Sequence, residues 1–180
     1  MNHGIKHERS QALIDFAFEF AKKSHDGQVR KYTGEPYIVH PIEVANIVAS
    51  VTDDCECICA ALLHDVIEDC GVTKQELINS GFGFAIAEMV DQLSDISKPE
   101  DGNRSRRKAI DRAHTAKAWP KTKTVKLADL ISNTKSITKY DKEFSKVYLH
   151  EKQLLLPVLK EGNQKLWHIC DDILIKNGFK

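Results

Sequence analysis

The stretch Ala60-Ala61-Leu62-Leu63-His64-Asp65-Val66-Ile67-Glu68-Asp69 decides the fold class. Its apolar residues recur at helical spacing, so it reads as a helix. With His64 set at zero and about 100° per residue, Glu68 falls near 40°, Asp65 near 100° and Asp69 near 140°. Four ionisable side chains thus share less than half of the helix circumference. Ala60, Leu63, Val66 and Ile67 fill the opposite face. A buried carboxylate costs several kcal/mol unless it is paired or binds a metal. Four such groups among apolar neighbours point to a cation. The adjacent His-Asp pair can supply one nitrogen and one oxygen ligand, and Glu68 and Asp69 remain for proton handling.

Outward from this stretch the helical pattern continues over nearly the whole chain. Ser10 to Ser24 carries Leu13, Phe16, Ala17 and Phe20 on one face, and His25 to Tyr37 is a loop rich in Gly, Lys and Arg. Pro41 suits the first turn of a helix that runs to about Val51. Asp54 to about Cys70 forms the His-Asp helix. Thr73 and Glu76 make a capping box. Gly81 and Gly83 precede a helix that ends near Ser94. The polar segment Asp95 to Asn103 is a loop, Asn103 to Trp119 a helix, and Pro120 a break. Helices follow over Thr122 to Ile137, Asp141 to Leu159 and Asn163 to Asn177, with Gly178 as the residue just past the last one. No strand is expected. The fold class is all-α, a helical bundle of roughly eight or nine helices.

Composition narrows the function classes. At 180 residues the chain reads as one domain, 1–180, with a motif-bearing core over about 10–160 and a closing helix over 163–177. Lys+Arg and Asp+Glu are 26 each, and this balance argues against a general nucleic-acid binder. The apolar stretch from Ala12 to Ala21 is interrupted by Asp15 and Glu19, so it is neither a signal region nor a membrane span. Cys55, Cys57 and Cys59 alternate, and Cys70 follows. This is not the paired spacing of a zinc site. They read as reduced, largely buried thiols of a cytoplasmic protein.

Two further segments add to the His-Asp pair. In Pro36-Tyr37-Ile38-Val39-His40-Pro41, proline holds the backbone of His40 extended at a helix start. In Val125-Lys126-Leu127-Ala128-Asp129-Leu130-Ile131, Asp129 stands mid-helix in an apolar run, where Asp is a weak helix former and costly to bury. Asn133 lies one turn further on the same face.

His40, then His64-Asp65, then Asp129 resembles the HD-domain metal-dependent phosphohydrolases. The segments His25-Asp26-Gly27-Gln28-Val29-Arg30-Lys31 and Gly34-Glu35-Pro36-Tyr37-Ile38-Val39-His40-Pro41, together with the His64 and Asp129 stretches, are similar to the hydrolase domain of the RelA/SpoT alarmone enzymes. The likeness covers about residues 10 to 160 and is of the small alarmone hydrolase (Mesh1-like) type. It implies an HD-domain helical bundle and one Mn²⁺ per chain, held by His40, His64, Asp65 and Asp129. Two imidazoles and two carboxylates suit a first-row metal with open water positions. The resemblance also implies that Glu68 and Asp69 activate water, and that Arg30, Lys31, Asn133 and Tyr148 bind the nucleotide. Tyr148 reads equally as packing.

The expected reaction is (p)ppGpp to GDP or GTP plus pyrophosphate. A (p)ppApp hydrolase, another nucleotide 2′- or 3′-phosphohydrolase and a catalytically silent nucleotide-binding module are the alternatives. The expected partner is a small-molecule nucleotide, with no nucleic acid and no membrane, and the oligomeric state is left open. His25, His3, His7, His114, His150 and His168 fall outside the implied ligand set. The basic residues Lys98, Arg104, Arg106, Arg107 and Lys108 are read either as phosphate-binding or as a solvated helix face. The family often has a basic residue where this chain has Leu130, and Arg where it has Lys135. The segment Gln92 to Lys98 also differs from the usual pattern.

Overall fold

The computed structural model describes residues 2–179, and of residues 2–7 the backbone alone. His3 and His7 therefore lie outside the residues whose side chains are described. The all-α class holds: among the described residues the only β-type pairing is an isolated bridge between Val29 and Pro36. The chain divides into two compact units, Met1–Ser94 and Asp95–Lys180.

In the first unit, α1 (Asn2–Ser24) and α2 (Val39–Ala49) both pack on α3 (Cys55–Leu63). Small residues make this possible. Cys57, Cys59, Ala60 and Ala61 are all buried, and their short side chains let neighbouring helices approach α3 from more than one side. Asp54 caps α3 by accepting from the Glu56 N–H. A short helix α4 (Val66–Cys70) follows, then α5 (Lys74–Leu77), which opens on the expected Thr73/Glu76 capping box. A π-helical turn, Ile78–Phe82, leads into α6 (Gly83–Leu93). Gly81 at φ 103° makes the kink that a residue with a Cβ would resist. Phe82 stacks on Phe16 at 4.8 Å and meets Phe20 edge-on at 5.2 Å, which ties this turn to α1.

The structure corrects one expectation here. The His-Asp helix is not continuous from Asp54 to Cys70: it stops at Leu63, turns through His64 and Asp65, and restarts at Val66. This break, with other short segments, raises the number of α-helical segments among the described residues to ten.

The second unit contains α7 (Arg104–Thr115), α8 (Pro120–Tyr140), α9 (Lys142–Leu155), a 3₁₀ turn (Leu156–Leu159) and α10 (Gln164–Lys176). The long helix α8 is central, and α9, α10 and the 3₁₀ turn pack on it. Pro120 occupies its first turn, where a missing N–H costs nothing. The helix expected to reach Trp119 ends earlier, at Thr115. Gly178 follows the C-cap of α10 with φ 84°, as expected of a residue in that position.

Gly162 is the most closely packed glycine of this unit. A Cβ there would meet Leu127 Cδ1 at 2.9 Å and the α8 backbone at Lys123 C, 3.0 Å, and Thr124 N, 3.1 Å. Backbone cannot yield as a side-chain tip can. Gly162→Ala is therefore expected to destabilise the protein by about 1–3 kcal/mol, read as a lower denaturant midpoint at unchanged m-value. An unchanged midpoint would show that α8 and the 160–163 turn can part at no cost.

Candidate metal centre

His40 is the second residue of α2, and His64 and Asp65 form the turn between α3 and α4. Both imidazoles are buried, and Asp65 is half-buried. His64 Nε2 lies 3.2 Å from His40 Nε2 and 2.9 Å from Asp65 Oδ2, and His40 Nε2 lies 3.6 Å from that oxygen. Among the described residues these three form the one group of His, Cys, Asp or Glu whose ligand atoms cluster for a metal, all within 4.8 Å of one another.

The tautomer follows from the neighbours. His64 Nδ1 is 2.8 Å from the Ala61 carbonyl oxygen, which accepts only a proton-bearing nitrogen. In neutral His64 the Nε2 lone pair then faces the other two ligand atoms. Two imidazoles and a carboxylate converging in this way form a donor set for a first-row divalent cation. The break at 64–65 brings this about. On a continuous helix His64 and Asp65 would diverge by about 100°, whereas the turn aims both side chains at one point.

Tyr37, which the sequence reading did not single out as a site residue, completes the immediate surroundings. Its hydroxyl donates to Asp65 Oδ2 at 2.8 Å. Burial, together with the Asp65 and Asp69 carboxylates, raises its pKa, so the phenol keeps its proton and stays a donor. Its ring stacks on His25 at 4.7 Å and meets His40 at 6.0 Å. The signal available in sequence was a polar aromatic three residues before a ligand histidine.

The expected water-activating residues lie on α4. Glu68 and Asp69 are both at the surface. Although Asp69 is exposed as a residue, partial enclosure of its carboxyl, and next the Asp65 charge, push its pKa up, while the nearby Tyr37 hydroxyl opposes this. A carboxylate whose proton affinity is raised is a better proton acceptor at neutral pH.

The loop before α2 carries the expected nucleotide contacts. It is pinned by Arg30 N–H to Glu35 O at 2.8 Å, Gly34 N–H to Arg30 O at 2.9 Å and Tyr37 N–H to Gln28 O at 2.9 Å. Gly34, at φ 70°, makes the turn. The Arg30 guanidinium lies 5.8 Å from the Tyr37 ring centroid, which places it beside the cluster. Lys31 is exposed and lies over Tyr32, at 4.9 Å. His25 takes no part as a ligand: it is buried, with Nδ1 2.7 Å from Gln28 Oε1. Gln28 Nε2 also donates to the Asp69 carbonyl at 3.2 Å, linking the loop to α4.

Asp129, Asn133 and Tyr148 belong to the second unit. Asp129 is buried mid-way along α8, with Oδ2 3.7 Å from Lys126 Nζ and Oδ1 accepting from Asn133 Nδ2 at 2.6 Å. Asn133, expected as a nucleotide contact, thus holds the Asp129 carboxylate from one turn further along α8. Tyr148 on α9 is buried and its hydroxyl has no hydrogen-bond partner among the described residues. Of the basic residues near the 95–103 loop, Arg104 forms a two-point pair with Glu151, at 2.6 and 2.9 Å. Lys108 pairs with Asp95. Lys98 and Arg106 are exposed.

Tyr37→Phe separates the hydroxyl from the ring, which keeps its stack on His25. Divalent-metal affinity is expected to fall by about 10–100-fold, as for other groups that orient a metal ligand, with helix content unchanged. Wild-type affinity in a metal titration would show that the hydroxyl does not orient Asp65.

Residues 17–154 match the HD domain family. The chain is 50% identical over 82 residues, 46% of its length, to a guanosine-3′,5′-bis(diphosphate) 3′-pyrophosphohydrolase of Vibrio cholerae. It is 38% identical over 134 residues, 72% of its length, to the protein of the same name from Aquifex aeolicus. It spans 11% and 18% of the lengths of those two relatives. The solved structure of a metazoan ortholog of SpoT, described as hydrolysing ppGpp and acting in starvation responses, superposes with a TM-score of 0.82 at 26% identity, covering 94% of this chain and 97% of that one. A match over most of the chain, together with a shared all-α fold, makes this chain a member of the HD domain family, related to the hydrolases of the SpoT/RelA type.

Proposed function

We propose that this chain is a Mn²⁺-dependent 3′-pyrophosphohydrolase of guanosine alarmones, converting (p)ppGpp to GDP or GTP and pyrophosphate. The observation that carries the proposal is the convergence of His40 Nε2, His64 Nε2 and Asp65 Oδ2. The names of the relatives and the family match support it. In this reading Asp129 supplies a fourth ligand, held in orientation by Asn133, and 1–180 works as one hydrolase domain. The family match crosses both units, in keeping with that. None of the five cysteines forms a disulfide, as suits a cytoplasmic protein, and no described helix is long and apolar enough to cross a membrane.

A divalent metal held by these residues would lower the pKa of its water toward about 7 and polarise a phosphoryl oxygen. The protein's own groups do the rest. Glu68 or Asp69 accepts the water proton, Asp69 with a carboxyl whose pKa is raised by partial enclosure. Tyr37, kept protonated, holds the Asp65 carboxylate in place. Arg30, next to Tyr37, offers a flat cation to the base, and Lys31, Asn133 and Tyr148 contact the rest of the nucleotide. The buried Tyr148 hydroxyl, with no hydrogen-bond partner among the described residues, is suited to accept one from substrate. A second reading, the adenine analogue (p)ppApp, draws on Leu130 and Lys135, which replace basic residues common in the family.

Pyrophosphate release from ppGpp and ppApp, with Mn²⁺ and with chelator, tests the proposal. Activity should require the metal and be greater on ppGpp. Full activity in chelator would sink the metal mechanism. Glu68→Gln should lower kcat by about 10²–10⁴-fold while metal stays bound, and an unchanged kcat would move the proton-accepting role to Asp69.

Arg30 gives a second, separate measurement. Arg30→Ala should raise KM by about 2- to 30-fold, equivalent to about 0.5–2 kcal/mol of lost cation–π contact. Arg30→Lys should restore only part of this, because an ammonium lacks the planar face. Equal KM values in all three proteins would show that Arg30 does not touch the base.

A further inference from the structure

The second unit contains a cavity of about 60 Å³ that the hydrolase reading does not use. Lys108 and Arg112 of α7, Lys126 of α8 and Lys152 of α9 line it, along with Asp95, Asp111 and Glu151. Each of the three carboxylates is already engaged. Asp95 pairs with Lys108. Asp111 accepts the N–H groups of Ile96 and Ser97 and the Ser97 hydroxyl, at 3.1, 2.9 and 2.9 Å. Glu151 is held at two points by Arg104. The cations are less well served. Lys126 lies 3.7 Å from Asp129. Among the described residues the side chains of Arg112 and Lys152 form neither a hydrogen bond nor an ion pair, and the Lys152 amine lies 4.7 Å from the Tyr148 ring.

We propose that this cavity binds one small tetrahedral oxyanion, a free phosphate, held directly by Lys152 and Arg112 with Lys126 and Lys108 beside it. Lys108 faces Asp95 and Asp111 and Lys126 faces Asp129, so the two cations without an ion pair, Arg112 and Lys152, leave the wall short of acceptors. Burial first, and then the neighbouring Lys126 charge, bring the Lys152 amine down to about 8, against the opposing pull of Asp129 and Asp95. An anion in the cavity relieves that repulsion and supplies the acceptors that an ammonium and a guanidinium lack. Size selects the ligand. The cavity has room for one phosphate, whereas nucleotide-sized pockets run to roughly 300–1,000 Å³. The site lies wholly within residues 95–180 and does not depend on the proposed hydrolysis.

Calorimetric titration of inorganic phosphate into the full chain tests this, using wild type, His64→Ala and Lys152→Met. Methionine keeps an unbranched stem over Tyr148 and removes the charge. One phosphate per chain should bind wild type and His64→Ala alike, and Lys152→Met about tenfold more weakly, as for loss of one charged hydrogen bond. Equal affinity in wild type and Lys152→Met, or loss of binding in His64→Ala, would overturn the proposal by placing the phosphate elsewhere or at the candidate metal centre. Phosphate affinity should not change in the presence of saturating GDP, and displacement by GDP would show that the anion site belongs to a nucleotide's own phosphate. Should circular dichroism show that Lys152→Met loses helix, Arg112→Gln on the half-exposed wall replaces it, with the same expectation and the same overturning result.

Discussion

The hydrogen bond from His64 Nδ1 to the Ala61 carbonyl is the contact on which the candidate centre depends. It is made within one turn of chain, at the end of α3, where helix carbonyls lack their usual partners. It satisfies one of them and at the same time fixes which imidazole nitrogen keeps a lone pair. The helix cannot simply continue here, because Asp65 must share a point with His64. Stopping at Leu63 and restarting at Val66 costs backbone regularity, but both flanking residues are fully buried, so the turn is held from either side.

Around that turn, one loop couples the basic segment of Arg30 and Lys31 to the candidate centre. Tyr37 stacks on His25, donates to Asp65 and lies beside Arg30. His25 is in turn fixed by Gln28, which reaches the Asp69 carbonyl. A shift of the loop would therefore disturb Asp65 and α4 together. This gives a physical reason for a glycine-bounded, basic segment to lie directly before His40: its backbone is held by its own hydrogen bonds, and its side chains are aimed by aromatic contacts.

The second unit addresses a different problem, the burial of charge. Helix α8 carries Lys123, Lys126 and Asp129 with little or no exposure. Lys123 is relieved by the Ala116 carbonyl, at 3.0 Å, and by Glu161. Asp129 is relieved by Asn133 and Lys126. Each buried charge has a partner, as its desolvation demands. Against that background the lack of an ion pair at Lys152 and Arg112 marks the cavity between α7, α8 and α9 as the place where the unit's charge is left uncompensated.

Much of this protein was determined by sequence alone. Helical periodicity, the Thr73/Glu76 capping box, Pro120 at a helix start and Gly178 at a helix end are local effects, and they specify the all-α class without long-range information. The His64-Asp65 pair and Asp129 stood out because ionisable groups in apolar runs have few structural explanations, and His40 was joined to them by resemblance to the HD-domain phosphohydrolases. Tertiary structure decided what depends on distance. The break at 64–65 is set by packing on both sides and not by any helix-breaking residue, so periodicity ran through it. Tyr37 looked like one more aromatic of a loop, and only the fold brings its hydroxyl to Asp65 across 28 residues of chain. Arg104 and Lys108 read as solvated or phosphate-binding until Glu151 and Asp95 were placed opposite them. The cavity at Lys152 has no sequence signature at all, because its cations come from three helices and their relation is purely spatial.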